Sequence, residues 1–229
     1  MSFLSNDHIN LVSKLTIGRF FNALKVYTSF YLAKHTNSQQ AKGLPLSITI
    51  EPTTACNLGC PECPSGLKQF TRPEGNLKID FYKKVIDEAK THAFYLNFYF
   101  QGEPFINPNF LDMVSYANQQ NIYTATSTNA HFLTDKKAKE TVKSGLSRLT
   151  ISIDGATQET YESYRKQGEL AKVLAGTQNV LKWKKELKSK TPYVIFQFLV
   201  VKPNEHQIEE AKQLAKEMGV DEIRFKTAQ

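Results

Sequence analysis

Three cysteines dominate the chemistry open to this chain. Cys56, Cys60 and Cys63 are its only cysteines, and they fall within the eight residues Cys56-Asn57-Leu58-Gly59-Cys60-Pro61-Glu62-Cys63. A CxxxCxxC spacing on one loop lets three thiolates converge on a single metal centre. Protein-bound iron–sulfur clusters usually take four cysteine thiolates. Three would leave one iron of a [4Fe-4S] cubane without a protein ligand, free to bind a substrate or cofactor. Two other uses of these residues stay open. Zinc accepts Cys3His sites, but His8, His35, His92, His131 and His206 are scattered, and none stands at a fixed short spacing from the loop. A disulfide plus a free thiol fits poorly with an odd cysteine count and with an N-terminus that does not read as a secretory signal.

The loop needs a rigid support, and the flanking pattern supplies one. Leu46 to Glu51 alternates apolar and polar side chains and reads as a strand that Pro52 ends. A helix follows, capped by Asp80 and running to about Lys90, with Phe81, Val85, Ile86 and Ala89 on its buried face. Further strands are expected over Phe94–Phe100, Ile122–Ser127, Arg148–Ile153, Tyr193–Val201 and Glu222–Lys226. Helices are expected from near Pro108 to before Asn121, over Asp135–Lys143, Gln158–Arg165 and Leu170–Leu187, and over Glu205–Met218, stopped by Gly219. Strands alternating with helices imply right-handed βα units and a parallel sheet. In βα barrels the active site lies where the strand C-termini converge. Glu103 in Gln101-Gly102-Glu103-Pro104, Ser127 and Asn129, and Ser152 and Asp154 all fall at such strand ends.

The 41% hydrophobic and 22% charged residues suit a soluble globular protein, and no apolar run is long enough to span a bilayer. The net charge of +7 allows an anionic partner. Lysine-rich stretches such as Lys182–Lys190 read as solvated helix, so nucleic acid is disfavoured. Unpaired cysteines place the chain in a reducing cytoplasm. Before the strand pattern, residues 1–43 form a basic segment. Apolar residues recur at near-helical period from Leu11 to Leu32, with Lys14, Arg19, Lys25 and Lys34 intervening, as in a basic amphipathic helix or a pair of helices broken at Gly18. A polar linker follows over Lys34–Gly43. The helix either packs on the outside of the main domain or makes peripheral contact with an anionic membrane through residues 11–32.

These motifs together resemble the radical S-adenosylmethionine (SAM) enzymes, and in particular the branch that carries a C-terminal cysteine-rich SPASM extension. Glu51-Pro52-Thr53-Thr54 before the cysteines, Gln101-Gly102-Glu103-Pro104 and Ser152-Ile153-Asp154-Gly155 carry the likeness, which covers Leu44 to Gln229. It implies an α/β fold, a partial (β/α)6 TIM-like barrel of parallel strands, over residues 44–229. It also implies that Cys56, Cys60 and Cys63 hold a [4Fe-4S] cluster whose fourth iron chelates SAM. Reductive cleavage of SAM would then give a 5′-deoxyadenosyl radical that takes hydrogen from a substrate. A flavodoxin or ferredoxin would supply the electron.

By the same likeness Glu103 accepts from the SAM amino group, Gly102 lets the backbone approach, and Arg165 pairs with the SAM carboxylate. Ser152 and Asp154 take the ribose or methionyl end, with Ser127 and Asn129 as further contacts and Gln197–Leu199 near the adenine. Two departures stand out: Gln101 replaces a glycine, and Glu62 replaces an aromatic residue expected beside the adenine. No second cysteine cluster follows, so the core is expected to be truncated at its C-terminal end. The alternative to an enzyme is then a non-catalytic fragment that binds cluster and SAM but lacks its substrate-binding extension. Lys68, Arg72 and Lys78 near the loop suit an anionic substrate if they are not simply solvated.

Overall fold

The computed structural model describes residues 5–36 and 40–227. Six strands build one sheet: β1 Ser47–Ile50, β2 Tyr95–Phe98, β3 Tyr123–Thr128, β4 Arg148–Ser152, β5 Tyr193–Val200 and β6 Glu222–Thr227. Every neighbouring pair is parallel and the spatial order follows the chain, β1 to β6. This is the expected partial barrel. Each strand lies within two residues of its expected bounds. Short apolar and β-branched runs between helical segments explain that accuracy, alternating in β1 and nearly continuous in β5. Leu96, Phe98, Leu149, Ile151, Val194 and Phe196 point to the helices and form the core. Tyr95, Asn97, Ser127, Arg148, Thr150, Gln197 and Arg224 point the other way and line a polar lumen of about 170 Å³.

Six helices cover the outer face: α3 Ile79–Ala89, α4 Phe110–Gln119, α5 Asp135–Lys143, α6 Gln158–Tyr164, α7 Leu170–Glu186 and α8 Ile208–Met218. The α8 C-terminus closes on Gly219 at φ +74°, the left-handed position that favours glycine. Two expectations for α3 need correction. Its N-cap is Lys78, and Asp80 sits in the first turn instead of capping. Its buried stripe is Tyr82, Ile86 and Ala89, while Phe81 is 61% exposed and Val85 only half-buried. The Tyr82 hydroxyl donates to the Met113 carbonyl at 2.8 Å, so the polar tip is satisfied and the ring can go inside. The helix expected from near Pro108 starts at Phe110, after a single 3₁₀ turn over Pro104–Ile106.

Two more helices precede the sheet, α1 Asn6–Val12 and α2 Ile17–Thr36. The break between them falls at residues 13–16, and Gly18 lies inside α2 instead of marking the break. Residues 37–39 of the expected linker lie outside the described residues. Both helices close the end of the barrel where the strands begin. Asp7, buried to 3% exposure, accepts from the Tyr123 hydroxyl and forms an ion pair with Arg148, the first residues of β3 and β4. Arg19, 2% exposed, donates to Lys14 O at 2.8 Å, Lys90 O at 2.7 Å, Gln120 O at 3.0 Å and Asn121 O at 2.6 Å. Lys90 and Gln120 are the C-caps of α3 and α4. One guanidinium thus satisfies carbonyls at two helix C-termini, where a cation is also favoured by the helix dipole.

Candidate active site

The other end of the barrel carries the cysteines. Residues 51–78 leave β1 and return to α3, and they are stitched down at several points. Leu77 N donates to Pro52 O at 2.9 Å, Thr54 N to Gly75 O at 3.2 Å, and the Asn107 amide to Pro52 O at 2.7 Å. Gly59 N donates to Lys166 O at 3.0 Å, which ties the cysteine turn to the end of α6. A Cβ on Gly66 would lie 2.5 Å from the Cys60 backbone, so this glycine lets the loop fold back on its own cysteine turn.

At the end of β2, Gly102 has φ +75°, and a Cβ there would meet the Thr53 carbonyl oxygen at 2.2 Å. Only glycine fits this approach. It brings Glu103 N within 2.8 Å of Ala55 O, so the two loops share a hydrogen bond. Glu103 is buried. Its carboxylate accepts from the Thr128 hydroxyl at 2.7 Å, Asn129 N at 2.8 Å and Phe105 N at 3.3 Å. Burial outweighs these donors and raises its pKa to about 7. The pocket would be electrostatically completed by a cation.

Cys56, Cys60, Cys63, Gly102, Glu103, Ser127, Asn129, Ser152 and Arg165 all line one cavity of about 130 Å³, together with Tyr99, Gln101 and Gln197. Nine of the ten sequence candidates therefore share it. Asp154 does not line it. It is fully buried behind the wall, where one oxygen pairs with Arg165 Nε at 2.5 Å and the other accepts from Leu199 N at 2.7 Å. Its place is that of a positioning residue: it aims Arg165 across the cavity, with Nη1 3.8 Å from Cys60 Sγ. A second, open cleft of about 1120 Å³ lies on the other side of the cysteine turn, lined by Glu62, Tyr164, Leu199, Val201 and Phe225.

The three thiols are free, and burial pushes Cys56 up to about 11 and Cys60 upward as well, Arg165 opposing the latter. Among the described residues no three His, Cys, Asp or Glu side chains gather where a single ion would sit. The cavity gathers three thiols with no histidine to complete a zinc site, a donor set that suits an iron–sulfur cluster. The residues present fit a cluster with one open iron.

Sequence reasoning missed Ser65. Its hydroxyl donates to Gln101 Oε1 at 3.0 Å and accepts from Gly102 N at 3.0 Å, and Cys63 Sγ lies 3.5 Å from the same Gln101 oxygen. A serine following Cys63-Pro64 carries no periodic signal. Its partner is 36 residues away.

Comparison with known proteins is consistent with this geometry. AdoMet-dependent heme synthase of Methanosarcina barkeri is 32% identical over 176 residues, 76% of this chain and 48% of that protein. Mycofactocin maturase MftC of Mycobacterium tuberculosis is 33% identical over 137 residues, 59% of this chain and 34% of that one. PqqA peptide cyclase of Bradyrhizobium diazoefficiens is 26% identical over 205 residues, 86% and 50%. The chain spans about half the length, or less, of the curated relatives it matches. Among solved structures, Streptococcus suis SuiB bound to S-adenosylmethionine superposes with TM-score 0.69 at 16% identity, over all of this chain and 48% of that one. The anSMEcpe structure with bound AdoMet gives 0.65 at 18% identity, over 81% and 52%. At such identities these two matches speak to the fold. The family model described as the Radical SAM superfamily matches residues 50–215, the span that holds the cysteine loop, Glu103 and Arg165. On that match the chain belongs to the radical SAM superfamily.

Proposed function

We propose that this chain is the catalytic core of a radical SAM enzyme. When bound, a [4Fe-4S] cluster and SAM supply reductive cleavage of a sulfonium and abstraction of a hydrogen atom from substrate. The chain's own residues do the holding. Cys56, Cys60 and Cys63 are the protein ligands of the cluster. Glu103, whose carboxylate is costly to ionise without a partner, accepts from the SAM ammonium. Arg165, aimed by Asp154, takes its carboxylate. Gly102 keeps the wall thin enough for close approach, and Ser127, Asn129 and Ser152 offer polar contacts at three neighbouring strand ends. A reductant of the flavodoxin or ferredoxin kind, in a reducing cytoplasm, completes the requirement.

The observation that carries this reading is that three thiols and a buried, cation-seeking carboxylate line one cavity at the strand C-termini. Relatives named for heme, mycofactocin and a PqqA peptide share this portion, so the shared portion serves the cofactors. Substrate choice then belongs to the polar lumen and the cleft beside Glu62. The test is anaerobic reconstitution with iron and sulfide, reduction, and electron paramagnetic resonance with and without SAM, followed by assay of 5′-deoxyadenosine. A reduced-cluster signal that changes with SAM, with deoxyadenosine formed, is the expected result. A SAM-sensitive cluster without deoxyadenosine would make the chain a cofactor-binding portion only, a reading favoured by its half-length match to the relatives.

A further inference from the structure

The helix α2 is built inside out. The stripe that faces the protein is small or polar: Arg19, Asn22, Val26, Ser29 and Ala33 are buried or half-buried. Asn22 exchanges hydrogen bonds with the Leu44 backbone at 2.9 Å in both directions, and Ser29 accepts from Lys42 N at 3.0 Å. On the far side the apolar residues face outward: Ile17 at 79% exposure, Phe20 and Phe21 at 55%, Leu24 at 49%, Tyr27 at 61% and Tyr31 at 49%. Monomeric soluble surfaces rarely carry a continuous apolar strip of this kind. Arg19, fastened to the carbonyls of Lys14, Lys90, Gln120 and Asn121, fixes the start of the helix, so the strip has a set orientation.

Charge says what the strip faces. From His8 to Ile50 there is no Asp or Glu, while Lys14, Arg19, Lys25, Lys34 and Lys42 fall in that span. At about 100° per residue from Leu24, Lys25 projects roughly 100° to one side and Lys34 roughly 80° to the other, between Tyr27 and Phe30, which is itself 62% exposed. Neither makes an ion pair among the described residues. Exposed aromatic rings with lysines on both sides of the face suit a helix lying in a lipid interface, where rings enter the headgroup layer and ammonium groups reach anionic phosphates. A second copy of the same face is a poorer match, because it would bring lysine against lysine with no carboxylate in the segment to answer it. No described helix is long and apolar enough to cross a membrane.

We propose that α2 docks this chain on an anionic lipid surface, with Phe20, Phe21, Leu24, Tyr27 and Tyr31 in the headgroup layer and Lys25 and Lys34 on lipid phosphates. The proposal does not depend on the cofactor chemistry. It is tested by flotation of the full chain with vesicles of phosphatidylcholine containing phosphatidylglycerol, against vesicles of phosphatidylcholine alone. The expected result is binding to the anionic vesicles only, weakened by added salt. Lys25→Gln with Lys34→Gln should reduce partitioning roughly thirtyfold, about fivefold for each lysine. Phe20→Ser with Phe21→Ser should abolish it. Circular dichroism should stay unchanged in both variants, since the substituted side chains are exposed. Failure to float on anionic vesicles would overturn the proposal, as would equal binding to neutral ones. So would size-exclusion behaviour as a dimer that Phe20→Ser disperses, because a second copy would then occupy the strip.

Discussion

The two ends of this barrel bury charge in opposite ways. At the end where the strands start, Asp7 meets Arg148 and Tyr123, and Arg19 fills its donors with four backbone carbonyls. Each charged group there has its complement within the chain. At the end where the strands finish, the chain leaves its chemistry incomplete. Three thiols and the buried Glu103 carboxylate, which accepts from the Thr128 hydroxyl and Asn129 N, face one cavity, and Phe100 holds φ +146°, a sparsely populated value for a residue with a side chain. One end is finished as structure, and the other stays open as a site.

Substitutions can break that contrast. The largest effect is expected from Cys60→Ala, which should abolish the cluster while leaving the circular dichroism spectrum intact. Full iron and sulfide content in that variant would refute the ligand assignment. At the closed end, Asp7→Ala strips Arg148 and Tyr123 of a buried partner and should cost about 3–5 kcal/mol of unfolding free energy. It should leave cluster loading per folded molecule unchanged. Chemical denaturation paired with iron analysis separates the two ends.

Glu103 sharpens the contrast through pH. Folding raises its pKa to about 7, so the folded chain holds this proton more tightly than the unfolded chain does. Its contribution to stability is therefore complete below the unfolded pKa of about 4.5. It is lost as pH rises toward 7 and above, in all about 3 kcal/mol. Glu103→Gln should flatten that part of the stability profile of the cofactor-free chain. Bound SAM should flatten it as well, since an ammonium offsets the cost of ionising the carboxylate. The smallest effect is expected from Gln101→Gly. It removes a polar side chain beside Cys63 without touching a ligand, so the cluster should form but with a shifted midpoint potential, read by potentiometric titration.

The strand order, the cysteine loop and most of the cavity wall were legible because they rest on short-range pattern. Alternation placed β1, a nearly continuous apolar run placed β5, and the three cysteines stand within one loop. Asp154 was legible as a strand-end carboxylate, but its retreat behind Arg165 depends on which way β4 turns its side chains at Ser152, a tertiary fact. Asp7 and Arg19 were not legible as structural keystones. A lone charge in a basic, aromatic stretch looks solvated, and the groups that answer it lie 71 to 141 residues further on. Tyr82 displaced Phe81 from the core for a similar reason. Its acceptor, the Met113 carbonyl, belongs to another helix.

Arg19 has a consequence for the order of assembly. Three of its carbonyl acceptors lie at Lys90, Gln120 and Asn121, separations of 71, 101 and 102 residues. A chain made from its N-terminus has α1 and α2 complete long before those acceptors exist. The guanidinium must wait in water, and the Asp7 carboxylate must wait for Arg148, 141 residues later. Only when β4 has been laid down can the closed end form. Helices made before any strand are thus seated only after β4, and their docking reports that four strands are in place.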